Sequence, residues 1–437
     1  MAFERKIGIY SNADAVLGDP YYLETLQEKL GLNVVIIGFS GQLPAHVLRE
    51  SPFDGTPPSP ETVRALLCKH LDGRPSAKQL DSVMGQVGPH VSAKGDDAAL
   101  RRAIEAAHKM GLEVWLLAGG WTSNDFHVVM FCPGQERVNR WYEAVYTHLA
   151  SDYGVEALDI THARFPMLSY PRGMFLCTCE HCAKAAEELG YDMERMMAAL
   201  HEARERLRHM PADRLLEVGV RHAGLGDVLQ ALAAGPELLN WFAFRTDLLA
   251  RNLARFRRAI KSAAGDEFIF GVDTYPASLS LYVGHNHARW AEFSDFASPL
   301  VSHVDIFVTQ AIAEWTDFLV SLVSGLGEAD ALQIIYRLLG YDGLALPRHV
   351  AEFALGEPDA EFRHVPLADL VGLDLDKARL YLPATIPSYP IIQGGGAPSD
   401  WPREAIEEIL QRSYGVGHNG VMFQGTKSLV EYKPKQG

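Results

Sequence analysis

Eight short apolar segments, most of them followed by a stretch with helical periodicity, constrain the fold of this sequence more than any other feature. Most are runs of Val, Ile, Leu and Phe rather than alternations of apolar and polar residues, a pattern typical of parallel strands covered on both faces. The predicted strands span residues 6–10, 33–38, 113–118, 157–161, 267–273, 304–309, 379–384 and 420–424. The clearest predicted helices span residues 97–110, 137–153, 238–263 and 404–414.

This alternation of strands and helices predicts an α/β protein with a closed (β/α)8 barrel, the TIM-barrel architecture. A doubly wound open sheet is the alternative. No Gly-x-Gly-x-x-Gly follows the first strand, so the dinucleotide-binding variant of that sheet lacks its main support. We expect a single barrel domain over residues 1–437, with helical and loop insertions at about 41–95, 183–237 and 340–376.

The composition restricts the classes of partner and compartment. The chain has 437 residues, 48% of them hydrophobic, and a formal net charge of -15. This charge repels nucleic acid backbones and anionic lipids, and no Lys/Arg cluster with interleaved aromatic residues reverses it locally. No apolar run reaches 18 residues and no signal-type apolar core precedes the first strand, so we expect a cytoplasmic protein that neither spans a membrane nor binds nucleic acid. The oligomeric state is left open, a homo-oligomer included.

Four cysteines have a spacing that is typical of a metal site. Cys177, Cys179 and Cys182 follow the fourth predicted strand, and Cys132 follows the third. Crowded thiolates repel one another unless a soft cation neutralises them, and zinc takes four of them in a tetrahedron. Because strands three and four are neighbours in a barrel, Cys132 can reach the other three. We therefore predict a closed structural zinc site that joins two loops; a set of reduced, metal-free cysteines is the alternative.

Two residues near this cluster are given other roles. His181 competes for the fourth ligand position, but its adjacency to Cys182 strains simultaneous ligation. Cys68 has no partner in the pattern, and we interpret it as a small buried hydrophobic residue. Five cysteines in all are too few and too unevenly placed for a disulfide scaffold.

The cysteine spacing resembles the zinc cluster of the β-galactosidases of glycoside hydrolase family 42. It is also similar to that of glycosyl-hydrolase-like barrels, in which a helix and a Gly-x-Asp turn follow the cysteines, here Gly190-Tyr191-Asp192. The segment 155–166 is similar to the strand-four pattern V-D-G-I-x-L-D-x-x-R-Y-P of those barrels. The resemblance covers about residues 110–310, and it implies a barrel that hydrolyses a small glycoside or oligosaccharide.

The sequence departs from family 42 at the catalytic residues. That family places an Asn-Glu pair after strand four and a Glu nucleophile on strand seven. Here strand four ends in Thr161-His162, and the predicted seventh strand contains no carboxylate. The mechanism of the retaining β-galactosidases therefore does not carry over to this chain.

Other carboxyl groups at predicted strand ends take their place, because a barrel presents its working residues at the C-terminal ends of its strands. Glycoside hydrolysis usually needs two carboxyl groups, and we predict Asp273 and Asp159 as that pair. The structural alternatives are a turn or N-cap role for Asp273 and, for Asp159, a buried ion pair with Arg164 or with a neighbouring strand. Asp305, at the start of the predicted sixth strand, is expected at the opposite, stability-determining end of the barrel.

The predicted substrate-binding residues are Trp121, Asp125, His127, His162, Arg164, Tyr275 and Gln424. Trp121 is expected to stack on a sugar face, although a core position is equally ordinary for it. The two histidines could protonate a leaving group or bind hydroxyls, with a structural role as the alternative for each. Arg164 could bind an anionic substituent or hold Asp159.

Two other functional classes remain open. A non-hydrolytic barrel enzyme, such as a lyase, an isomerase or a zinc-thiolate transferase, is one; the transferase requires an open coordination position on the zinc. A catalytically inactive carbohydrate-binding barrel is the other, and the missing family 42 glutamates favour it.

Overall fold

Eight parallel strands form one sheet. The computed structural model describes residues 3–53, 59–69, 71, 96–121, 131–165, 173–222, 224–355, 365–396 and 400–431. The strands are β1 (Lys6–Ser11), β2 (Val34–Gly38), β3 (Glu113–Gly119), β4 (Ala157–Thr161), β5 (Ile269–Thr274), β6 (Ala297–Pro299), β7 (Ile391–Gln393) and β8 (Gly420–Gln424). Their order is β6-β5-β4-β3-β2-β1-β8-β7. Isolated parallel bridges from Ala297 to Ser388 and from Leu300 to Ile391 link the two outer strands. The sheet is thus a nearly closed barrel, and the predicted (β/α)8 fold is confirmed.

Two of the eight predicted strands are wrong. Residues 304–309 contain a π-helical turn (Val304–Val308), and residues 379–384 contain the end of a helix (Leu367–Tyr381). The real β6 and β7 have three residues each, and prolines lie in or directly before them, so they give no periodic signal. A short apolar run does not by itself distinguish a strand from a helix, and both errors come from such runs.

The helices surround the sheet, and the four clearest predicted ones match the structure to within two residues at each end. They are α1 (Ala13–Gly18), α2 (Pro20–Leu30), α3 (Ala45–Leu48), α4 (Pro60–Leu66), α5 (Asp97–Lys109), α6 (Glu136–Asp152), α7 (Glu180–Glu188), α8 (Met193–His209), α9 (Ala212–Leu216), α10 (Leu225–Ala231), α11 (Pro236–Ala264), α12 (Thr309–Leu322), α13 (Glu328–Leu339), α14 (Leu367–Tyr381) and α15 (Arg403–Gly415). Within the described residues, no helix combines the length and apolarity needed to cross a bilayer.

Helix α5 illustrates why these segments form where they do. The Asp96 carboxylate accepts a hydrogen bond from the Ala99 N–H at 2.8 Å and so caps the first turn. Leu100, Ile104 and Ala107 then recur on one face and are buried against the sheet-side core. Such stripes fix the helices around the barrel, while the predicted division into one domain with three insertions stays a prediction.

Aromatic side chains fill the N-terminal end of the barrel interior. The rings of Trp115 and Phe296 lie with centroids 4.7 Å apart, and Tyr389 contacts both. Trp115 Nε1 donates a hydrogen bond to Glu113, whose carboxylate also pairs with Lys6. Because these groups occupy the N-terminal end, the space for a ligand is left to the C-terminal ends of the strands, where barrel enzymes have their sites.

Candidate functional site

Two aspartates meet at the C-terminal end of the barrel interior. Asp159 on β4 is completely buried, and Asp273 on β5 is 6% exposed. Their carboxyl groups lie within hydrogen-bond range of each other. The Tyr10 hydroxyl on β1 donates to Asp159 Oδ2 at 2.9 Å and lies 3.5 Å from Asp273 Oδ1. The structure therefore brings the two predicted catalytic residues together, with a tyrosine that the sequence analysis did not select.

Burial and mutual repulsion keep one proton on this pair. Burial raises the pKa of Asp159 to about 6, against the hydrogen bonds from Tyr10 and Asp273, which favour its charged form. Burial and the negative charge of Asp159 raise the pKa of Asp273 well above its ordinary value. Two carboxyl groups in contact cannot both ionise cheaply, so the pair titrates as a unit. The negative charge of the pair therefore favours Asp159, and the proton favours Asp273.

A small cleft opens beside Asp273. Its lining consists of Thr161, His162, Arg164, Asp273, Thr274, Tyr275 and Leu300. Three buried hydroxyls around the pair, Thr274 Oγ1, Tyr275 OH and Ser298 Oγ, have no hydrogen-bond partner among the described residues. Ser298 lies opposite Asp273 in the register of β5 and β6. Buried hydroxyls without partners are rare in native structures, so these three mark places where ligand hydroxyls or water would bind.

The end of β4 turns sharply at His162. This residue has a φ of 58°, in the left-handed region that is uncommon for residues other than glycine. Its Nδ1 lies 2.9 Å from Thr161 Oγ1, which in turn contacts the Asp273 carboxyl. A Cβ at Gly120 would lie 2.6 Å from Ala163 Cα, so only glycine lets β3 approach this turn so closely. The turn places the imidazole at the cleft.

Arg164 lies beside Tyr275 rather than on Asp159. Its guanidinium carbon is 4.3 Å from the Tyr275 ring centroid, and the side chain is buried. Burial lowers the pKa of Arg164, whereas the neighbouring Tyr275 and Asp273 raise it. Asp159 Oδ1 accepts no hydrogen bond from the described residues, so the alternative of an Asp159–Arg164 ion pair is not what the structure shows.

His285, which the sequence analysis missed, fixes the loop that carries Tyr275. Its Nδ1 accepts a hydrogen bond from the Tyr275 N–H at 3.1 Å, so its Nε2–H donates to the Ala163 carbonyl, also at 3.1 Å. Burial lowers the pKa of His285 to about 3, and the ring is neutral at physiological pH. It therefore joins the loop after β5 to the turn after β4.

Gln424 lies at the end of β8, where its Oε1 accepts a hydrogen bond from Ser302 at 2.6 Å. Ser302 Oγ also lies 2.8 Å from His303 Nδ1. Gln424 is thus near the same end of the barrel but is not among the residues that line the cleft. Its predicted contact with substrate stays a prediction.

Several other predictions are corrected. Trp121 is buried outside the barrel, where its Nε1 donates to Asn139 at 3.0 Å and its ring packs on Phe256. A ring enclosed in this way cannot stack on a sugar. Asp305 belongs to the π-helical turn after β6, at the C-terminal end of the barrel, not at its N-terminal end. Asp125 and His127 lie outside the described residues.

The four predicted metal ligands form a compact cluster. Cys132, Cys177, Cys179 and Cys182 are all buried, and their sulfur atoms lie within 4.8 Å of one another. Cys132 Sγ is 3.4 Å from the sulfurs of Cys179 and Cys182 and 3.8 Å from that of Cys177. Four sulfurs at about 2.3 Å from a tetrahedral zinc would lie about 3.8 Å apart, so the cluster fits such an ion. The four residues could thus hold a metal.

The ionisation of the four thiols also favours a bound metal ion. Gly134 N–H donates to Cys132 Sγ at 3.3 Å, and Lys69 N–H donates to Cys177 Sγ at 3.2 Å. Burial disfavours the Cys177 thiolate, but hydrogen bonds from neighbouring thiols, that of Cys132 first, hold its pKa well below its ordinary value. Hydrogen bonds to the other three cysteines, together with burial, raise the pKa of Cys182. Without a cation, only part of the cluster can therefore ionise.

Cys68 has a more specific environment than the sequence predicted. It is buried as expected, and its thiol donates to the Phe131 carbonyl at 3.9 Å, directly before Cys132. The Leu66 carbonyl accepts a hydrogen bond from the Cys132 N–H at 2.9 Å, and the Lys69 carbonyl accepts one from the Thr178 N–H at 2.8 Å. The segment with Cys68 is therefore held against both ligand loops.

Arg245 connects the cluster to the loops at the cleft. It is fully buried on α11, and its guanidinium donates to the carbonyls of Gly173, Met174 and Tyr282 at 2.9 to 3.2 Å. Burial lowers the pKa of Arg245 to about 9, opposed by the nearby thiols of Cys68, Cys177 and Cys182. These contacts give Arg245 a scaffold role.

A wider groove on the outer surface does not share these features. It is lined by Arg257, Arg258, Lys261, Ser262 and Asp266. Asp295 pairs with two of its cations, Arg257 and Lys261. The barrel end with the aspartate pair is therefore the better candidate for a catalytic site.

Comparison with known proteins gives matches in structure alone. No model of a known protein family matches the chain, and no curated protein matches its sequence. It is similar to the glycoside hydrolase domain of PgaB from Bordetella bronchiseptica, at 8% identity and TM-score 0.48, with 96% of this chain and 94% of that chain covered. It is also similar to the catalytic domain of the β-amylase from Paenibacillus polymyxa, at 9% identity and TM-score 0.44, with 98% and 94% covered. A chitinase from Rhizomucor miehei matches at 9% identity and TM-score 0.40, with 97% and 95% covered. At this level of similarity, the fold and the activity have to be argued from the chain itself.

Proposed function

We propose that this protein is a glycoside hydrolase, with Asp273 as the proton donor and Asp159 as the charged residue behind it. The observation that carries the proposal is the pair of buried carboxyl groups in contact at the C-terminal end of the barrel, where burial and the charge of Asp159 raise the pKa of Asp273. Cleavage of a glycosidic bond needs a carboxylic acid that stays protonated until it meets the leaving oxygen. Burial beside a like charge provides such an acid.

The two aspartates take different roles because they differ in access. Asp273 lines the cleft, whereas Asp159 is fully buried behind it. Asp273 would protonate the leaving oxygen. Asp159 would act as a positioning residue, since its charge holds the proton on Asp273 and stabilises the positive charge that develops on the sugar ring. Tyr10 would hold Asp159 in place through its 2.9 Å hydrogen bond.

The contact between the carboxyl groups sets this pair apart from the usual arrangements. Retaining glycosidases hold two carboxyl groups about 5–5.5 Å apart, and inverting ones hold them about 6.5–9.5 Å apart, in both cases across the substrate. Carboxyl groups within hydrogen-bond range cannot flank a sugar ring. Attack on the anomeric carbon would therefore come from water or from a group of the substrate, and the retaining mechanism of family 42 would not apply.

We further propose that the four-cysteine cluster holds a structural zinc ion. We also propose that the protein is cytoplasmic. All four ligands are protein thiols in a buried cluster, so a bound zinc would have no open position for a substrate. This closed arrangement argues against a zinc-thiolate transferase. Zinc would supply the positive charge that neutralises the thiolates, and the loops that carry His162 and Arg164 would be held by it.

The activity is tested with phenyl and 4-nitrophenyl glycosides of several sugars. Asp273→Asn should lower turnover of phenyl glycosides at least about a hundredfold, because general acid catalysis contributes about 10²–10⁴. The loss should be smaller for 4-nitrophenyl glycosides, because their leaving group needs little protonation. Asp159→Asn should lower the turnover of both kinds of glycoside. It should also move the alkaline limb of the pH profile to lower pH, because Asp273 then loses its proton more easily.

Asp317→Asn is the matched control, because Asp317 is an exposed carboxylate on α12. It should leave turnover unchanged. Equal activity in wild type and Asp273→Asn would contradict the proposed acid. Sugar binding without turnover in any member of the panel would favour the inactive carbohydrate-binding barrel instead.

A further inference from the structure

The cleft beside Asp273 is lined by a buried cation. Arg164 lines this cleft together with Thr274 and Tyr275, which are also buried. The Arg164 guanidinium carbon lies 4.3 Å from the Tyr275 ring centroid, so the ring covers one face of the planar guanidinium. The N–H groups of a guanidinium lie in its edge, and a ligand oxygen would therefore be bound there.

Two hydroxyl groups in the same cleft can add to the binding. Thr274 Oγ1 and Tyr275 OH are buried and have no hydrogen-bond partner among the described residues. A hydroxyl can donate to a ligand oxygen, whereas a guanidinium can only donate. An anionic group, which only accepts hydrogen bonds, therefore matches the donors that line this cleft.

His285 holds the backbone on both sides of this receptor. Its ring accepts a hydrogen bond from the Tyr275 N–H and donates one to the Ala163 carbonyl, each at 3.1 Å. Ala163 directly precedes Arg164, so the turn after β4 and the loop after β5 are tied together where the two side chains meet. A receptor that is ordered before the ligand arrives loses less entropy on binding.

The charge of Arg164 distinguishes an anionic ligand from a neutral one. Burying a guanidinium costs desolvation free energy, whereas an amide or a hydroxyl would bind a sugar hydroxyl at a lower cost. Arginine stays protonated in proteins, and its fork matches two oxygens of a carboxylate, sulfate or phosphate. Asp159, whose charge would repel an anion, is fully buried behind Asp273 and does not line the cleft. The cleft therefore favours a negative group beside the proposed acid.

We propose that Arg164 and the Tyr275 hydroxyl bind an anionic substituent, a carboxylate, a sulfate or a phosphate, on the sugar that Asp273 acts on. The preferred substrates are then acidic glycosides. This inference rests on the proposed glycoside hydrolase activity and adds the class of substrate to it. Arg164 is a specificity-determining residue in this arrangement, because the group that it binds takes no part in breaking the glycosidic bond.

The test compares 4-nitrophenyl glycosides of several neutral sugars with the matching uronides, 6-sulfates and 6-phosphates. In wild type, kcat/KM for at least one acidic glycoside should exceed that for its neutral parent at least about tenfold, because hydrogen bonds between charged groups are strong. The three acidic series show which anion is bound. Arg164→Gln should lower this ratio to about one, and Arg164→Lys should keep an intermediate ratio, because it keeps the charge and loses the fork. Tyr275→Phe should lower the ratio about two- to tenfold, as expected for one hydrogen bond.

Arg258→Gln is the matched control, because it removes the same charge from an exposed position on α11 that lines the outer groove. Its ratio should equal that of wild type. Circular dichroism checks the fold of each variant, and the wild-type ratio tests the inference without any substitution. Equal cleavage of neutral and acidic glycosides by wild type would overturn the anion site and leave the hydrolase standing. A preference that persists in Arg164→Gln would show that another residue binds the anion.

If no glycoside is cleaved, the proposed hydrolase is wrong, and calorimetry then decides on the anion site by itself. The ligands are glucuronate, glucose 6-sulfate and glucose 6-phosphate, each compared with glucose. Tighter binding of an acidic sugar by wild type, lost in Arg164→Gln, would support the site. Equal binding of acidic and neutral sugars, or no binding of either, would overturn the site as well.

Discussion

The cysteine cluster and the aspartate pair solve the same physical problem in different ways. Each brings acidic groups together in a buried part of the protein, where isolated charges are costly. The cysteines surround a volume that fits a tetrahedral cation. The aspartate carboxyl groups lie within hydrogen-bond range of each other, and the charge of Asp159 raises the pKa of Asp273. A site neutralised by a metal is suited to holding loops together, whereas a site neutralised by a proton can transfer it.

Removing the metal tests the first half of this comparison, that a cation neutralises the cysteine cluster. Chelation in the presence of a thiol reductant should lower the free energy of unfolding by more than about 5 kcal/mol, because structural zinc binding contributes about 10–16 kcal/mol in zinc-finger peptides. Urea unfolding with and without the chelator measures this change. Restoring Zn²⁺ should restore stability, and Asp273→Asn should leave the metal content unchanged. Equal stability of the two forms would show that the cysteines need no cation.

Removing one member of the aspartate pair should have the opposite effect on stability at neutral pH. A carboxyl group whose pKa is higher in the folded state stabilises the fold fully below its unfolded pKa, and this contribution is lost as pH rises through the folded pKa. The Asp159 pKa is about 6 in the folded protein, against an ordinary value of 3.8, and that of Asp273 is also raised well above its ordinary value. The pair should therefore destabilise the protein progressively above about pH 4.

Asp273→Asn tests this destabilisation by the aspartate pair directly. At pH 8 the variant should be more stable than wild type by about 1–3 kcal/mol, because each pKa unit corresponds to about 1.4 kcal/mol. The difference should vanish near pH 4. Urea unfolding across this pH range measures it, with the exposed Asp317→Asn as the control that should show no such trend. Lower stability of Asp273→Asn at pH 8 would mean that the pair is a stabilising hydrogen-bonded unit and not a strained one.

The two regions also differ in how far the sequence predicts them. The spacing in the chain indicates Cys177, Cys179 and Cys182, and the adjacency of strands three and four in a barrel adds Cys132 to them. The proximity of Asp159 and Asp273 followed from their positions near the ends of predicted strands four and five. Tyr10 and Ser298 give no local signal, because each belongs to its site only through strand register.

The missed strands show the same limit. β6 and β7 are held by their neighbours in the barrel, not by their own three residues, so no period of two can appear in them. Conversely, the segment Gly119-Gly120-Trp121 resembles a loop at a barrel mouth, but the Trp121 ring packs between helices outside the barrel. Side-chain direction at a strand end depends on tertiary contacts, which a single sequence does not contain.

Tyr10 offers the finest test of the aspartate pair, because its removal changes no carboxyl group and its hydroxyl lies closer to Asp159, at 2.9 Å, than to Asp273, at 3.5 Å. If glycoside cleavage needs Asp159 ionised, the acidic limb of kcat/KM should lie near pH 6 in wild type. Tyr10→Phe removes a donor to the carboxylate, which is worth about 0.5–1.5 kcal/mol, and should move this limb upward by about 0.5–1 pH unit. Tyr191→Phe is the matched control, because it removes a tyrosine–aspartate hydrogen bond to Asp247 outside the site, and its profile should equal that of wild type. A Tyr10→Phe limb that stays in place or moves downward would mean that the tyrosine does not favour the Asp159 charge, and the distinction between the protonated and the ionised aspartate would lose its physical basis.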